Sequence, residues 1–400
     1  MTSPERPLGM MEQALRALAR RPMPLHFTMV AVVSGAPGPD GWRSGLARVQ
    51  QRHPLLRAGV VEGPGGPRFT ALPEVPIPLE VVTGTDGDWT AELVAEVTEP
   101  FSTGPAPILR ARLLPGPRRS VVILTGHTAV DGLSVAIVLR DLLRAMAGRD
   151  LHGATHGLPM EDFLAVGDTS GAPLRPEPFD ARMLAAARPP RVDRLSLGRE
   201  LTELVCDRAH QQGVTVHMVL AAALASAMHP FSAARELRFG SQVHLRRTLP
   251  EIGDSVGFYS IPVVGPSPAR DAGLWASAQR FKDDLDIFRQ PRRVADALAK
   301  LSVIGRGLPD RDDPAGWTRA IGQTLAYDIL LTNLGALPMP LRYGALRLDE
   351  MWGPAGMVGF ENEHVVGVNT IGGNLTLLYT SRDPVPGLLS AARDTIAEEM

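Results

Sequence analysis

The sequence predicts a mixed α/β protein built as two lobes, and three observations predict it. Short apolar runs of strand length alternate with helix-period segments from Leu25 onward. A proline-dense stretch between Ser170 and Arg191 breaks that alternation once. The same mixture of strands and helices then resumes. With 400 residues, 44% apolar and 21% charged, the chain has material for two ordinary cores. The expected division is residues 1–170, a connector at 171–192, and residues 193–400.

Taken in order, residues 25–33 predict a strand. Residues 40–52 predict a helix that stops at His53-Pro54, because proline disfavours helical geometry in the residue before it. A strand at 55–61 leads through Gly63-Pro64-Gly65-Gly66-Pro67 into 68–71, followed by an extended 77–82 and a helix at 88–97. Strands at 108–114 and 120–125 flank Pro115-Gly116-Pro117, and the second runs through a loop into an apolar helix at 134–147. Beyond the connector, helices at 197–212 and 216–229 are separated at Gly213. The second is alanine-rich and apolar nearly all round, which marks it as buried. Strands are expected at 236–245 and 257–264, helix at 272–301, and strands near 328–332, 341–350, 364–371 and 375–380.

Composition narrows the function. The net charge is -2, with acids and bases scattered along the chain, so no nucleic-acid partner is expected. A single cysteine, Cys206, allows no internal disulfide and points to a reducing, cytoplasmic setting. Residues 1–21 are polar and lack the apolar core of a secretion signal. The most apolar stretches, 27–33 and 214–228, are too short or too interrupted, the second by His217, to span a bilayer. The 40 glycines and 36 prolines sit at turns between periodic segments and form no low-complexity tract.

The sharpest local signal is Gly126-His127-Thr128-Ala129-Val130-Asp131-Gly132, between a strand and a helix. An imidazole where the chain leaves a sheet projects into a cleft, and its pKa suits proton transfer near neutrality. Asp131 and Gly132 turn the chain toward the helix, where a carboxylate near the N-terminus is electrostatically favoured.

His-x-x-x-Asp-Gly after a strand resembles the CoA-dependent acyltransferase superfamily, which includes chloramphenicol acetyltransferase, condensation domains, BAHD enzymes and polyketide-associated acyltransferases. Further segments carry the likeness in order along the chain. Gln51-Arg-His-Pro-Leu-Leu-Arg57 is similar to the family's Arg-His-x-x-Leu-Arg, and 213–223 to the buried helix of its second lobe. Val243-His-Leu-Arg246 and Val256-Gly-Phe258 are similar to the arginine and Gly-x-Phe strands of condensation domains. Thr332-Asn-Leu-Gly335 and Gly373-Asn-Leu-Thr376 resemble later family segments, and Asp349-Glu-Met-Trp-Gly353 stands where BAHD enzymes carry Asp-Phe-Gly-Trp-Gly. One departure is Gly126, where condensation domains usually carry a first histidine.

The resemblance implies two chloramphenicol acetyltransferase-like lobes with a substrate tunnel between them. It makes His127 the general base for moving an acyl group from a thioester to a hydroxyl or amine of a small molecule. It makes acyl-CoA, or an acyl-phosphopantetheinyl carrier protein, the cosubstrate, with no permanently bound cofactor and no metal. A monomer is expected. Asp131 and Gly132 are then structural supports, Asp131 pairing with Arg246 or, failing that, Arg247. Tyr259, Ser260, Asn333 and Trp352 are candidates for the tunnel, and the first three also for oxyanion donor. Rival readings are a carrier-protein-binding module without catalysis, a cyclising or epimerising condensation-like domain, and a serine hydrolase using Ser134.

Three further expectations concern side chains outside this set. Ser134 reads as a helix N-cap. Cys206, on the apolar side of a helix with Leu201 and Val205, reads as a buried thiol. His152 and His156 read as loop residues without metal-binding geometry.

Overall fold

The computed structural model describes residues 5–19, 25–63, 66–72, 75–84, 88–102, 105–127, 129–152, 157–164, 188–232, 237–269, 271–307, 316 and 325–400. The connector at 171–192 and His156 therefore lie largely or wholly outside the described residues.

The first half contains β1 (Arg6–Pro7), α1 (Met10–Ala19), β2 (His26–Ser34), α2 (Pro39–Arg52), β3 (Ala58–Val61), β4 (Arg68–Ala71) and β5 (Leu79–Val81). It continues with α3 (Thr90–Thr98), β6 (Leu109–Leu114), β7 (Arg119–His127), α4 (Gly132–Met146) and the single turn α5 (Met160–Phe163). The second half contains β8 (Arg191–Leu197), α6 (Gly198–Gln211), α7 (Val216–Met228), β9 (Arg238–His244), β10 (Ser260–Pro266), α8 (Leu274–Asp286) and α9 (Pro291–Gly307). It ends with β11 (Ile329–Ala336), β12 (Arg342–Tyr343), β13 (Leu346–Ala355), β14 (His364–Ile371), β15 (Asn374–Ser381) and a C-terminal helix, Leu388–Glu398.

Among the described residues these strands make two six-stranded mixed sheets, ordered β12-β13-β2-β7-β6-β5 and β10-β9-β11-β14-β15-β8, and a small third sheet, β1-β4-β3. The first sheet is covered on one face by α2 and α4, where Trp42, Leu46 and Val49 meet Val122, Leu124 and Val138. Its other face carries Val121 and Ile123 against Trp89, Leu93 and Val97 of the α3 segment. The second sheet packs Val366, Val368 and Leu377 on the alanine-rich α7, on α8 and on the C-terminal helix.

The second half of the chain does not keep to its own sheet. β13 leaves it and pairs antiparallel with β2, from Arg347 opposite Ser34 to Ala355 opposite Thr28. On its way it crosses the second sheet closely: Asn369 Nδ2 donates to the carbonyls of Met351 and Gly353, and Thr376 Oγ1 to that of Met351. At the crossing stands Gly367, where any Cβ would collide with the Pro354 carbonyl oxygen.

Several expectations change. The strand expected from residue 55 begins as a 3-10 turn, Pro54–Arg57, because Pro54 fixes a helical φ and the Gln50 amide donates to the Leu56 carbonyl. Residues 1–21 hold an amphipathic helix: Met11, Ala14 and Leu15 of α1 are buried against Leu245, Phe258 and Tyr259 of the other half. Residues 191–197, expected to begin as connector, are an edge strand on β15. Cys206 is exposed, because the buried side of α6 is Thr202, Val205 and Ala209.

Candidate active site

His127 is the last residue of β7 rather than part of the following loop, and β7 lies antiparallel to β2 with His26 directly opposite. Side chains alternate along a strand, so Val121, Ile123, Thr125 and His127 share the face toward α3. Thr125 Oγ1 donates to Glu96 Oε2 of that helix at 2.7 Å.

Three rings meet at this strand end. Phe101 lies flat on the His127 imidazole, centroids 4.6 Å apart with 11° between planes. His26 meets it edge-on at 5.3 Å and 70°. The Arg110 guanidinium lies over the Phe101 ring, 4.5 Å from its centroid. His26 Nε2 is 2.9 Å from the Glu99 carbonyl oxygen, which only accepts, so Nε2 carries the His26 proton. Burial, and then Arg110, lowers the His26 pKa to about 4. Burial also pushes His127 well below its ordinary value, and His26, Arg110 and Arg16 add to the effect. Both imidazoles are neutral near pH 7. The His127 Nδ1 is buried with no hydrogen-bond partner among the described residues, while the residue as a whole is partly exposed.

Asp131 anchors the segment behind the histidine. It is the N-cap of α4, and its Oδ1 accepts from the Ser134 N–H at 2.7 Å. Its Oδ2 accepts from the Tyr259 N–H at 2.9 Å and lies 3.4 Å from Arg246 Nη1, both side chains being buried. Ser134 is buried one turn inside α4 and is not the cap. Its Oγ donates to the Gly257 carbonyl and accepts from Arg246 Nη2. Arg247 is exposed and lines a cavity with His217 and Asn333. Gly132 packs on Pro354 of β13, where a Cβ would come within 2.8 Å of the proline ring.

The four remaining candidates scatter. Tyr259 is fully buried, its hydroxyl donates to the Leu158 carbonyl, and Arg246 lies 5.0 Å above its ring, so its side chain braces the Asp131 cluster. Trp352 is a packing residue. Its indole N–H donates to Glu350, and Arg194 stacks over both it and Trp89. Ser260 accepts from Gln242. Asn333 lines a polar cavity of about 410 Å³ with His217, Gln242 and His244, and its Oδ1 accepts from the Gly335 N–H. His53, of the Arg-His-x-x-Leu-Arg segment, is wholly buried on Asp141 at 3.0 Å, so that segment serves packing. His26 and Phe101 were not legible as site residues, because only strand register and the loop after α3 bring them to His127.

Among the described residues no three His, Cys, Asp or Glu side chains form a metal-sized cluster, and no single helix is long and apolar enough to cross a membrane.

Comparison with known proteins fixes the architecture. The chain superposes on the first condensation domain of the CDA synthetase with a TM-score of 0.67, 15% identity, and coverage of 99% of this chain and 95% of the other. It matches F. graminearum TRI101, solved with coenzyme A and deoxynivalenol, at 0.67 and 14%, covering 95% of both chains. It matches polyketide synthase associated protein 5 from Mycobacterium tuberculosis at 0.65 and 14%, covering 96% of both. The chain shares the fold of these three proteins. Its sequence relatives are peptide synthetases. It is 25% identical over 237 residues to tyrocidine synthase 3 of Brevibacillus parabrevis, covering 54% of this chain and 4% of the relative. It is 27% identical over 257 residues to phosphinothricin tripeptide synthetase PhsC of Streptomyces viridochromogenes, covering 54% and 23%. The chain thus spans less than a quarter of the length of these relatives. No family model matches.

Proposed function

We propose that the chain is an acyltransferase of specialised metabolism with His127 as its general base. The observation that carries the reading is a neutral imidazole at the end of β7, with the turn behind it braced by Asp131. The acceptor hydroxyl or amine attacks the thioester carbonyl, a new C–O or C–N bond forms, and His127 takes the acceptor proton. The C–S bond then breaks, and the same proton passes from His127 to the departing sulfur. Acid and base are one group, so no acyl-enzyme is required. The donor is acyl-CoA or an acyl carrier protein, in line with a fold neighbour solved with coenzyme A and with synthetase relatives.

A second reading, a recruiting module without turnover, is favoured by Phe101, which covers one face of His127. One fold neighbour, the X-domain from teicoplanin biosynthesis, is described in complex with OxyB, at a TM-score of 0.59 and 18% identity. Thiol release from a panel of acyl-CoA and acyl-carrier donors separates the readings. His127→Ala is expected to cut the rate at least about a hundredfold with an unchanged circular dichroism spectrum. A variant keeping more than about a third of the rate would overturn the catalytic role.

A further inference from the structure

Where the two halves meet, a partly open cavity has a wall that is almost wholly apolar. Phe27, Phe258, Leu330, Met357, Phe360 and Val365 supply most of it. The polar side chains reaching it are already occupied or uncharged: Gln242 donates to Ser260, the Tyr327 hydroxyl donates to Glu363, and Thr332 adds one hydroxyl. Among the described residues no acidic or basic side chain lines it.

The cavity is preformed, because its wall is tied from behind. The Glu363 carboxylate accepts from the N–H groups of Val358, Gly359 and Phe360 and from the Tyr327 hydroxyl. It also lies against the His127 motif. Phe27 stands opposite Gly126, Pro354 packs on Gly132, and Phe258 sits between Gly257 and Tyr259, whose backbones bond Ser134 and Asp131. Helix α1 spans the two places: Met11 and Leu15 enter the cavity, and the next residue, Arg16, is close enough to act on His127 electrostatically. The Leu25 and Phe27 side chains leave β2 on the face opposite His26, so the cavity lies across the strand from the His127 ring.

We infer that this cavity holds an uncharged hydrocarbon segment of one of the two substrates, and that it rejects a charged end such as the free amine of an aminoacyl group. The inference rests on the acyl-transfer reading for its site, but its chemistry comes from the wall. A buried ammonium would find no carboxylate among the described lining residues and would be desolvated without compensation. Each methylene buried instead multiplies affinity by about fourfold.

The test is equilibrium binding by titration calorimetry to the full chain, which needs no turnover. The donor arm compares acetyl-, hexanoyl- and 6-aminohexanoyl-pantetheine, whose arm is common to CoA and carrier donors. The acceptor arm compares 1-hexanol with 6-amino-1-hexanol. In one arm the hexyl ligand is expected to bind at least about tenfold more tightly than its amino counterpart. Leu330→Trp, which fills the cavity, is expected to erase that gap. If Leu330→Trp lowers the melting temperature, Thr332→Trp on the same strand face is read instead. Equal binding of hexyl and aminohexyl ligands in both arms overturns the inference, as does a gap that survives filling. Binding without any acyl transfer would keep this inference and reject the catalytic reading.

Discussion

At the scale of single residues, the proposed base His127 has a pKa held down by burial and then by His26, Arg110 and Arg16. Protonation removes the active form, so the transfer rate is expected to stay level as pH falls through 6.5, the ordinary histidine value, and to drop only below it. A pH profile with its midpoint at or above 6.5 would contradict this environment. Asp131 and Arg246 form the neighbouring test. Their pair is buried, and loss of either partner leaves an uncompensated charge costing about 3 to 5 kcal/mol. Asp131→Asn and Arg246→Gln are each expected to lower stability in urea titrations, and the double variant is expected to be less damaged than the sum. Simple additivity would break the coupling. Gly126 shows why a second histidine has no place here: its Cβ would press on Val130 and Val135 within 3.1 Å. Gly126→His is therefore expected to destabilise the protein by about 1 to 3 kcal/mol, read from the urea midpoint.

At the scale of elements, legibility followed burial. β7, β14 and β15 are apolar runs whose strand character local sequence declares, and residues 364–371 matched to the residue. Segment 191–197 is half polar and sits at a sheet edge, so it carries little of the apolar signal that marks a strand. The C-terminal helix and α1 were missed because their apolar faces make sense only against partners far away in sequence. The His127 motif was legible because its residues are consecutive, whereas the His26 and Phe101 contacts depend on register and on a loop. Gly367 makes the element-scale prediction. Gly367→Ala forces β13 and β14 apart at their crossing, and a loss of about 2 kcal/mol or more is expected in the unfolding free energy. An unchanged urea midpoint would mean that the crossing is looser than its geometry.

For the whole molecule, the two sheets are expected to unfold together, since β13 belongs by hydrogen bonding to one and by side-chain contacts to the other. Residues 1–190 expressed alone are therefore expected to be insoluble, and a soluble, cooperatively folded fragment would refute that unity. Acid is expected to weaken the whole chain. His26 and His364 are buried and His217 is half-buried, each with a pKa near 4 against 6.5 when unfolded. Below 6.5 the unfolded chain binds protons that the native chain refuses, so stability falls as pH drops from 6.5 toward 4 and this contribution then levels off. Melting temperatures taken at intervals across that window measure the slope.

The strand that closes the His127 sheet also sets the order of events during synthesis. Ser34 of β2 bonds Asp349 of β13 across 315 residues of chain, so the edge of β2 stays bare until most of the protein has left the ribosome. Pairing over such a separation is slow, and an uncovered strand edge invites association with other chains. Yield in a cell should therefore depend on chaperone supply and growth temperature more than the stability of the finished fold would suggest.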